Sequence, residues 1–335
     1  MNTFILPDRL SGYRIHLVGA KGTGMCALAE ILQASGSIVS GSDVSDTFYT
    51  DRILSALGVV VKDFNPANIH EAIELVVHSA AYRADTHPEL VQAKKLGIPI
   101  ATYPEALGAL SRTMDSSGIC GVHGKTTTTA LTGVLARACG LPATILAGSA
   151  VSDFGDRSTL ILGKDLFIAE TCEYRRHFLS FSPKRIVLTS VEPDHQDYYP
   201  DYDSIMDAFL EYTQLLPEGG TLIYCSDDRG ASDLASRLYG HRPDISAIAY
   251  GFSAPGRFHI TDYLVHNERA RFHLAGYSIP FSLRLPGRHL ALDATAALAL
   301  CHTVADDLDR PLDSADLVAM ASAIDGFAGS RRRSE

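Results

Sequence analysis

The absences in this chain narrow its reading first. The six cysteines, Cys26, Cys120, Cys139, Cys172, Cys225 and Cys301, are scattered, and none forms a C-x-x-C pair. Zinc ribbons and dithiol redox centres therefore lack sequence support. Without a secretory leader, such cysteines read as free thiols in a reducing compartment. The first ten residues carry Pro7, Asp8 and Arg9 and hold no apolar segment of signal-peptide length. No apolar run approaches the ~20 residues that a membrane helix needs. Positive charge is in short supply, with 29 Lys and Arg against 39 Asp and Glu, a formal net charge of −10. An acidic surface argues against nucleic acid or an anionic membrane as the main partner, although one local pocket could still hold a small anion. No repeat of solenoid period and no low-complexity tract occurs. The expected location is the cytoplasm.

What remains is a chain of 335 residues, 46% of them hydrophobic, long enough for two cores. Apolar runs at 13–18, 37–41, 59–61, 75–77 and 98–101 read as buried strands. Helical periodicity at 25–34, 53–57 and 88–96 places helices between them. Strands joined by crossover helices imply a parallel, doubly wound sheet. A second unit starts near Met114, with strands expected at 118–122, 166–169, 186–189 and 222–224. Helices are expected at 125–139, 205–215, 231–238, 291–304 and 317–324. Closely spaced alternating runs between Phe258 and Leu285 suggest a small antiparallel patch. The fold class is thus α/β, with a Rossmann-like parallel-sheet domain over 1–112. A P-loop-type α/β domain with an antiparallel patch follows over 113–326. The chain closes on a basic stretch, Arg331-Arg332-Arg333-Ser334-Glu335, which reads as a frayed tail or as a chain cut at a hinge.

Two glycine-rich turns carry the chemistry. The first, Gly19-Ala20-Lys21-Gly22-Thr23-Gly24-Met25, lies between a strand and a helix. Glycine there permits tight turning and close backbone approach, and the free N–H groups of the helix start can hold phosphate oxygens. Gly22-x-Gly24-x-x-Ala27 satisfies the dinucleotide pattern, and Asp43 stands where that pattern has its ribose-binding acid. An NAD-type domain and a ligand-free tight turn are the other readings of this segment. The second turn runs Gly121-Val122-His123-Gly124-Lys125-Thr126-Thr127-Thr128. It is shorter than a full P-loop but keeps the Gly-Lys-Thr end. Backbone N–H groups would cradle phosphates, Lys125 would reach the β/γ-phosphates and the Thr126 hydroxyl would bind Mg²⁺. Two anion sites in one chain suggest nucleotide-driven chemistry on a second phosphate-bearing substrate.

Two acidic clusters follow predicted strands: Glu170-Thr171-Cys172-Glu173 and Glu192-Pro193-Asp194-His195. Ligands collect at the carboxyl ends of parallel strands. A carboxylate and a neutral imidazole there could complete a metal shell with Thr126. The plainer readings are an ion pair of Glu173 with Arg175 or Arg176, and a surface role for His195. The histidines His70, His241 and His266 read as surface or structural.

In these motifs and their order the chain resembles the Mur ligase family, from about Tyr13 to Glu335. The resemblance rests on the first turn with Ala29-Glu30, on Ser40-Gly41-Ser42-Asp43 and on His78-Ser79-Ala80-Ala81. It continues through the shortened second turn, Glu170-x-x-Glu173, Glu192-Pro193-Asp194-His195, Pro286-Gly287-Arg288-His289 and Phe327-Ala328-Gly329-x-x-Arg332-Arg333. It implies an ATP- and Mg²⁺-dependent ligase of the alanine-adding branch, which joins L-alanine to UDP-N-acetylmuramate through an acyl phosphate in peptidoglycan precursor synthesis. It also implies that Lys125, Glu173 and His195 are catalytic, with Thr126, Glu173 and His195 holding the metal. Gly121, His123, Gly124, Lys125, Thr126, Thr127, His289, Asp293 and Arg332 would bind ATP. Gly22, Thr23, Gly24, Met25, Asp43 and Ser79 would serve the UDP-sugar.

The chain departs from the family pattern at several points. Leu290 and Asp293 stand where the family has Asn, Ser190 follows Thr189 where Asn is usual, and Cys172 replaces an aspartate. An aspartate can accept from an adenine amino group but, ionised, cannot donate to a ring nitrogen. Residues 327–335 match a hinge that leads, in the family, to a third domain. A chain ending there is expected to bind the sugar nucleotide and to ligate poorly. A tripeptide-recycling ligase and a non-catalytic sugar-nucleotide sensor are the alternatives.

Overall fold

The computed structural model describes residues 5–7 and 9–329. The first sheet has the order β3-β2-β1-β4-β5 and is parallel throughout. Its strands are β1 (Arg14–Val18), β2 (Ile38–Asp43), β3 (Val61–Asp63), β4 (Leu75–His78) and β5 (Ile100–Thr102). The helices are α1 (Thr23–Ala34), α2 (Thr50–Ala56), α3 (Pro88–Leu96) and α4 (Tyr103–Ser111). The strand order reverses between β1 and β4, and such a switch point opens a crevice at the carboxyl ends of those two strands. Gly19 follows β1 and Ser79 follows β4, so both segments face that crevice.

The second sheet has the order β12-β11-β10-β6-β9-β7-β8. Its strands are β6 (Asp115–Cys120), β7 (Ala143–Val151), β8 (Arg157–Ile161), β9 (Leu166–Glu170), β10 (Arg185–Leu188), β11 (Thr221–Cys225) and β12 (Ser246–Tyr250). All neighbours are parallel except β7 and β8. The central strand β6 lies between β9 and β10, so three strand ends open side by side. The helices are α5 (Lys125–Ala138), α6 (Tyr202–Thr213), α7 (Arg229–His241), α8 (Arg288–Asp307) and α9 (Ser314–Gly326). The expected antiparallel patch is β13 (Ile260–His266), β14 (Arg269–Leu274) and β15 (Phe281–Leu283).

Four elements were not expected: α4, β7, β8 and β12. Helix α4 starts on a capping box, with Thr102 and Glu105 bonding each other's backbone N–H groups. Strand β6 begins three residues earlier than its apolar run, at Asp115-Ser116-Ser117. Those polar residues sit in the sheet because each finds a partner. The Ser116 hydroxyl donates to the Ser111 carbonyl, and the fully buried Arg185 bonds Ser117, Asp115 and Asp307.

A continuous apolar core runs from Leu17 of β1, Leu28 of α1 and Leu110 of α4 to Phe167 of β9, Phe178, and Phe209 of α6. Polar contacts join the same two units as well, the Ser116–Ser111 bond among them. Glu30 of α1, 3% exposed, accepts from the Thr159 hydroxyl of β8 at 2.7 Å and pairs with Arg157 at 3.2 Å. Among the described residues no helix is long and apolar enough to cross a membrane. All six cysteines are free, and Cys172 alone is exposed.

Candidate functional site

At the end of β1, Gly19 has φ +85°, the left-handed region where a side chain is strained. A Cβ at Gly19 would also press on the Tyr82 ring at 2.7 Å and on Ser79 at 3.1 Å. Gly22 caps α1, which leaves the first N–H groups of that helix without intrahelical acceptors. The Met25 side chain lies in the core, 3% exposed, so that residue offers the crevice only its backbone. The Thr23 hydroxyl meets the Tyr49 hydroxyl at 2.8 Å. Asp43 accepts from the backbone N–H groups of Lys21 at 2.7 Å and Val44 at 2.8 Å, which ties the loop to the end of β2. The Lys21 ammonium donates to the carbonyls of Val44 and Asp46, so its charge is spent on the neighbouring loop.

The second turn is held more tightly. A Cβ at Gly121 (φ +134°) would collide with Thr189 Oγ1 and the Ser190 backbone, so only glycine admits this approach. The Thr189 hydroxyl donates to the carbonyls of Cys120 and His123, and Ser190 Oγ accepts from the His123 N–H at 3.0 Å. Thus the pair at the end of β10 fastens the turn from below. The run of threonines, poor helix material in isolation, turns its hydroxyls back onto the helix backbone, Thr129 to the Lys125 carbonyl and Thr132 to the Thr128 carbonyl, so no buried hydroxyl is left unpaired there. Thr126 and Thr127 are half-buried at the helix start, and His123 is exposed.

The acid clusters converge on Lys125, as strand order requires. Its ammonium lies 3.0 Å from both oxygens of Glu173, which is 1% exposed, and also donates to the Gly121 and Val122 carbonyls. His195 Nε2 is 3.5 Å from the second partner of that lysine, Glu173 Oε1, and 3.8 Å from Asp194 Oδ2. His195 has φ +50°, and its N–H is held by the Asp194 carboxylate at 2.7 Å. Ligand atoms of Glu173, Asp194 and His195 lie within 4.8 Å of one another. Two carboxylates and an imidazole suit a hard divalent cation, and the donor set fits magnesium. The plainer alternative, an ion pair of Glu173 with Arg175 or Arg176, does not form: Arg176 pairs with Glu211, and Arg175 lies over the Tyr174 ring.

Asp293 of α8 is brought to the same turn. A Cβ on Gly124 (φ +79°) would touch Asp293 Oδ1 at 2.5 Å, and the Thr128 hydroxyl donates to it at 3.3 Å. Burial pushes the Asp293 carboxyl up to about 7, partly opposed by the Thr128 bond. His289 is exposed beside Gly287, and Arg332 lies outside the described residues. Sequence reasoning passed over Asp194 as a ligand, although it precedes His195 directly. It also read Thr189-Ser190 only as a departure from pattern, because hydroxyls that fasten a distant turn leave no periodic signal.

Comparison with known proteins decides the family. Residues 14–114 match the Mur ligase family catalytic domain, and residues 119–301 match the Mur ligase middle domain. The chain belongs to the Mur ligase family. It is 47% identical over 331 residues to a UDP-N-acetylmuramate–L-alanine ligase of Treponema pallidum, spanning 98% of this chain and 69% of that one. A ligase of the same name from Borrelia garinii is 39% identical over 326 residues, 96% of this chain and 69% of its own length. Solved Mur ligase structures share the fold. The UDP-N-acetylmuramate-alanine ligase of Thermotoga maritima has a TM-score of 0.75 at 24% identity, covering 96% of this chain and 70% of that one. A ligase for UDP-N-acetylmuramate and a diaminopimelate tripeptide from Neisseria meningitides has a TM-score of 0.78 at 23% identity, covering 96% and 100%. As a Mur ligase, the chain is a member of a family of ATP-dependent amide ligases, and the nicotinamide reading of the first turn gives way.

Proposed function

We propose that this Mur ligase joins L-alanine to UDP-N-acetylmuramate at the expense of ATP. The observation that carries the reading is the meeting of Lys125, Glu173 and His195 at the second glycine-rich turn. The two relatives of 47% and 39% identity that bear this activity in their names support the choice of substrates.

A free carboxylate is a poor acyl donor in water, so the reaction must first activate it. In the proposed sequence the lactyl carboxylate of the sugar nucleotide attacks the γ-phosphorus of ATP. The bond to the bridging oxygen breaks, ADP leaves and an acyl phosphate forms. The amine of L-alanine then attacks the acyl carbon, loses a proton, and phosphate departs from the tetrahedral intermediate. Lys125 moves its charge from Glu173 toward the transferred phosphoryl group and neutralises the charge that develops there. The N–H groups of residues 121–127 hold the phosphate oxygens. Thr126, Glu173 and His195, with Asp194 in reach, would hold magnesium, which would supply positive charge at the phosphate oxygens. Gly22, Thr23, Gly24 and the backbone of Met25 would receive the diphosphate, with Asp43 and Ser79 shaping the crevice around the uridine end. His289 and Asp293 would flank the ATP base and loop. Residues 1–112 and 113–326 are the proposed sugar-nucleotide and ATP units.

The test is release of orthophosphate from ATP by the purified protein. Release that requires both UDP-N-acetylmuramate and L-alanine supports the reading. Equal release with a tripeptide in place of L-alanine would assign the recycling reaction instead. Binding of the sugar nucleotide with no binding of ATP would favour the sensor.

A further inference from the structure

Tyr103 occupies the seam between the two glycine-rich turns. It is the first residue of α4, and its ring is half-buried against the core that joins the two sheets. Toward the first turn, a Cβ on Gly24 would lie 3.0 Å from the Tyr103 Cζ and 3.2 Å from its hydroxyl oxygen. The phenol is therefore packed onto the backbone where α1 begins, and glycine at 24 leaves it room. Toward the second turn, its electrostatic neighbours are Glu170 and Cys172, at the end of β9 that leads into Glu173. Glu170 is itself engaged, accepting from the Gly148 N–H at 2.7 Å. Among the described residues the Tyr103 hydroxyl makes no hydrogen bond. Burial, with the nearby Glu170 and Cys172, raises its pKa, so the phenol keeps its proton and stays a donor at neutral pH.

A substrate with its diphosphate at Gly22–Met25 and its reacting carboxylate at Lys125 must cross this seam. A half-buried phenol that donates to no protein acceptor is suited to a passing anionic group. We propose that the Tyr103 hydroxyl is a substrate-binding residue that donates a hydrogen bond to the carboxylate-bearing side chain of the sugar nucleotide. This rests on the proposed function. Tyr103 then selects the lactyl-bearing sugar over one with a free 3-hydroxyl, because only the former places a carboxylate at the seam.

Calorimetric titration of the wild-type protein and of Tyr103→Phe tests this, with UDP-N-acetylmuramate, UDP-N-acetylglucosamine and ATP as ligands. A hydrogen bond to a charged group contributes enough that its loss should weaken UDP-N-acetylmuramate binding about tenfold to a hundredfold. Binding of UDP-N-acetylglucosamine and of ATP should stay within about twofold, and the melting temperature should not move, since Phe keeps the ring and leaves no buried orphan. Unchanged affinity for UDP-N-acetylmuramate overturns the inference. Equal weakening toward both sugar nucleotides also overturns it, since the phenol would then only prop the first turn. A folded wild-type protein that binds UDP-N-acetylglucosamine and ATP but not UDP-N-acetylmuramate would instead sink the substrate assignment itself.

Discussion

Lys125 and Glu173 form a two-pronged pair, with the ammonium nitrogen 3.0 Å from each carboxylate oxygen and the carboxylate 1% exposed. The pair joins the end of β6 to the end of β9, and it pre-positions the cation that the proposed phosphoryl transfer uses. Removing one partner of a largely buried pair leaves the other charge uncompensated. Lys125→Met should lower stability by about 3 kcal/mol, read by denaturant titration, and should cut substrate-dependent phosphate release by about 10²-fold or more. The double variant Lys125→Met, Glu173→Leu should recover much of the stability and none of the activity. A single lysine variant that still turns over would show that this cation is not the one used.

Asp293 gives the protein a titration near neutrality. Its ordinary value is 3.8, and burial against the second turn raises it to about 7. The folded state then holds this proton more tightly than the unfolded chain. The stability it contributes is complete below about pH 4 and declines as pH climbs to about 7, by up to ~1.4 kcal/mol per pH unit. Asp293→Asn removes the titration. Melting curves of the variant and the wild type should converge near pH 4 and separate at pH 8, with the variant the more stable. Parallel curves across that range would mean the carboxyl titrates normally.

The contact between α1 and β8 makes a third expectation. Burial raises the Glu30 pKa, opposed by the Thr159 bond and Arg157. Arg157→Ala leaves the carboxylate with one donor, at a cost of about 1 kcal/mol, since the arginine side chain is 40% exposed. A protonated Glu30 needs no cation, so the loss should be larger at pH 8 than at pH 5. A loss that grows toward acid pH would contradict this arrangement.

Gly108 in α4 is a fourth. Alanine in the interior of a helix normally stabilises by about 0.8–1 kcal/mol over glycine. Here the added Cβ would stand 2.0 Å from the Ser180 carbonyl oxygen, a backbone atom that cannot swing aside. Gly108→Ala should therefore lower the melting temperature, against its propensity. A rise would mean that α4 does not seat against Ser180.

Much of this was legible in the residues themselves. The two glycine turns, the threonine-rich helix start and both acid clusters stand beside their strands in the chain, and strand order alone brings them to one edge. The parts that escaped notice share a physical cause. Ser116 and Ser117 lie inside β6 because Ser111 and Arg185, distant in sequence, satisfy them. Helix α4 is short and rich in alanine and glycine, so its apolar face gives little periodicity. Strands β7 and β8 bury Thr144, Ser158 and Thr159 and carry Gly148 and Ser149 at half-buried positions, which breaks up their apolar runs. Tyr103 has no motif around it and acquires meaning only from Gly24 and Glu170, which the fold brings near.

The second turn is the portion of the molecule most often recognised from a short string of letters, yet its shape depends on residues spread over much of the chain. Thr189 and Ser190 hold it from one strand end, Glu173 from another, and Asp293 presses on it from a helix 165 residues beyond Thr128. Residues 121–129 moved into a foreign sheet would arrive without any of these fastenings. The string is thus not a portable cassette, and a graft would have to carry four separate host positions with it before the backbone could take up the same curve.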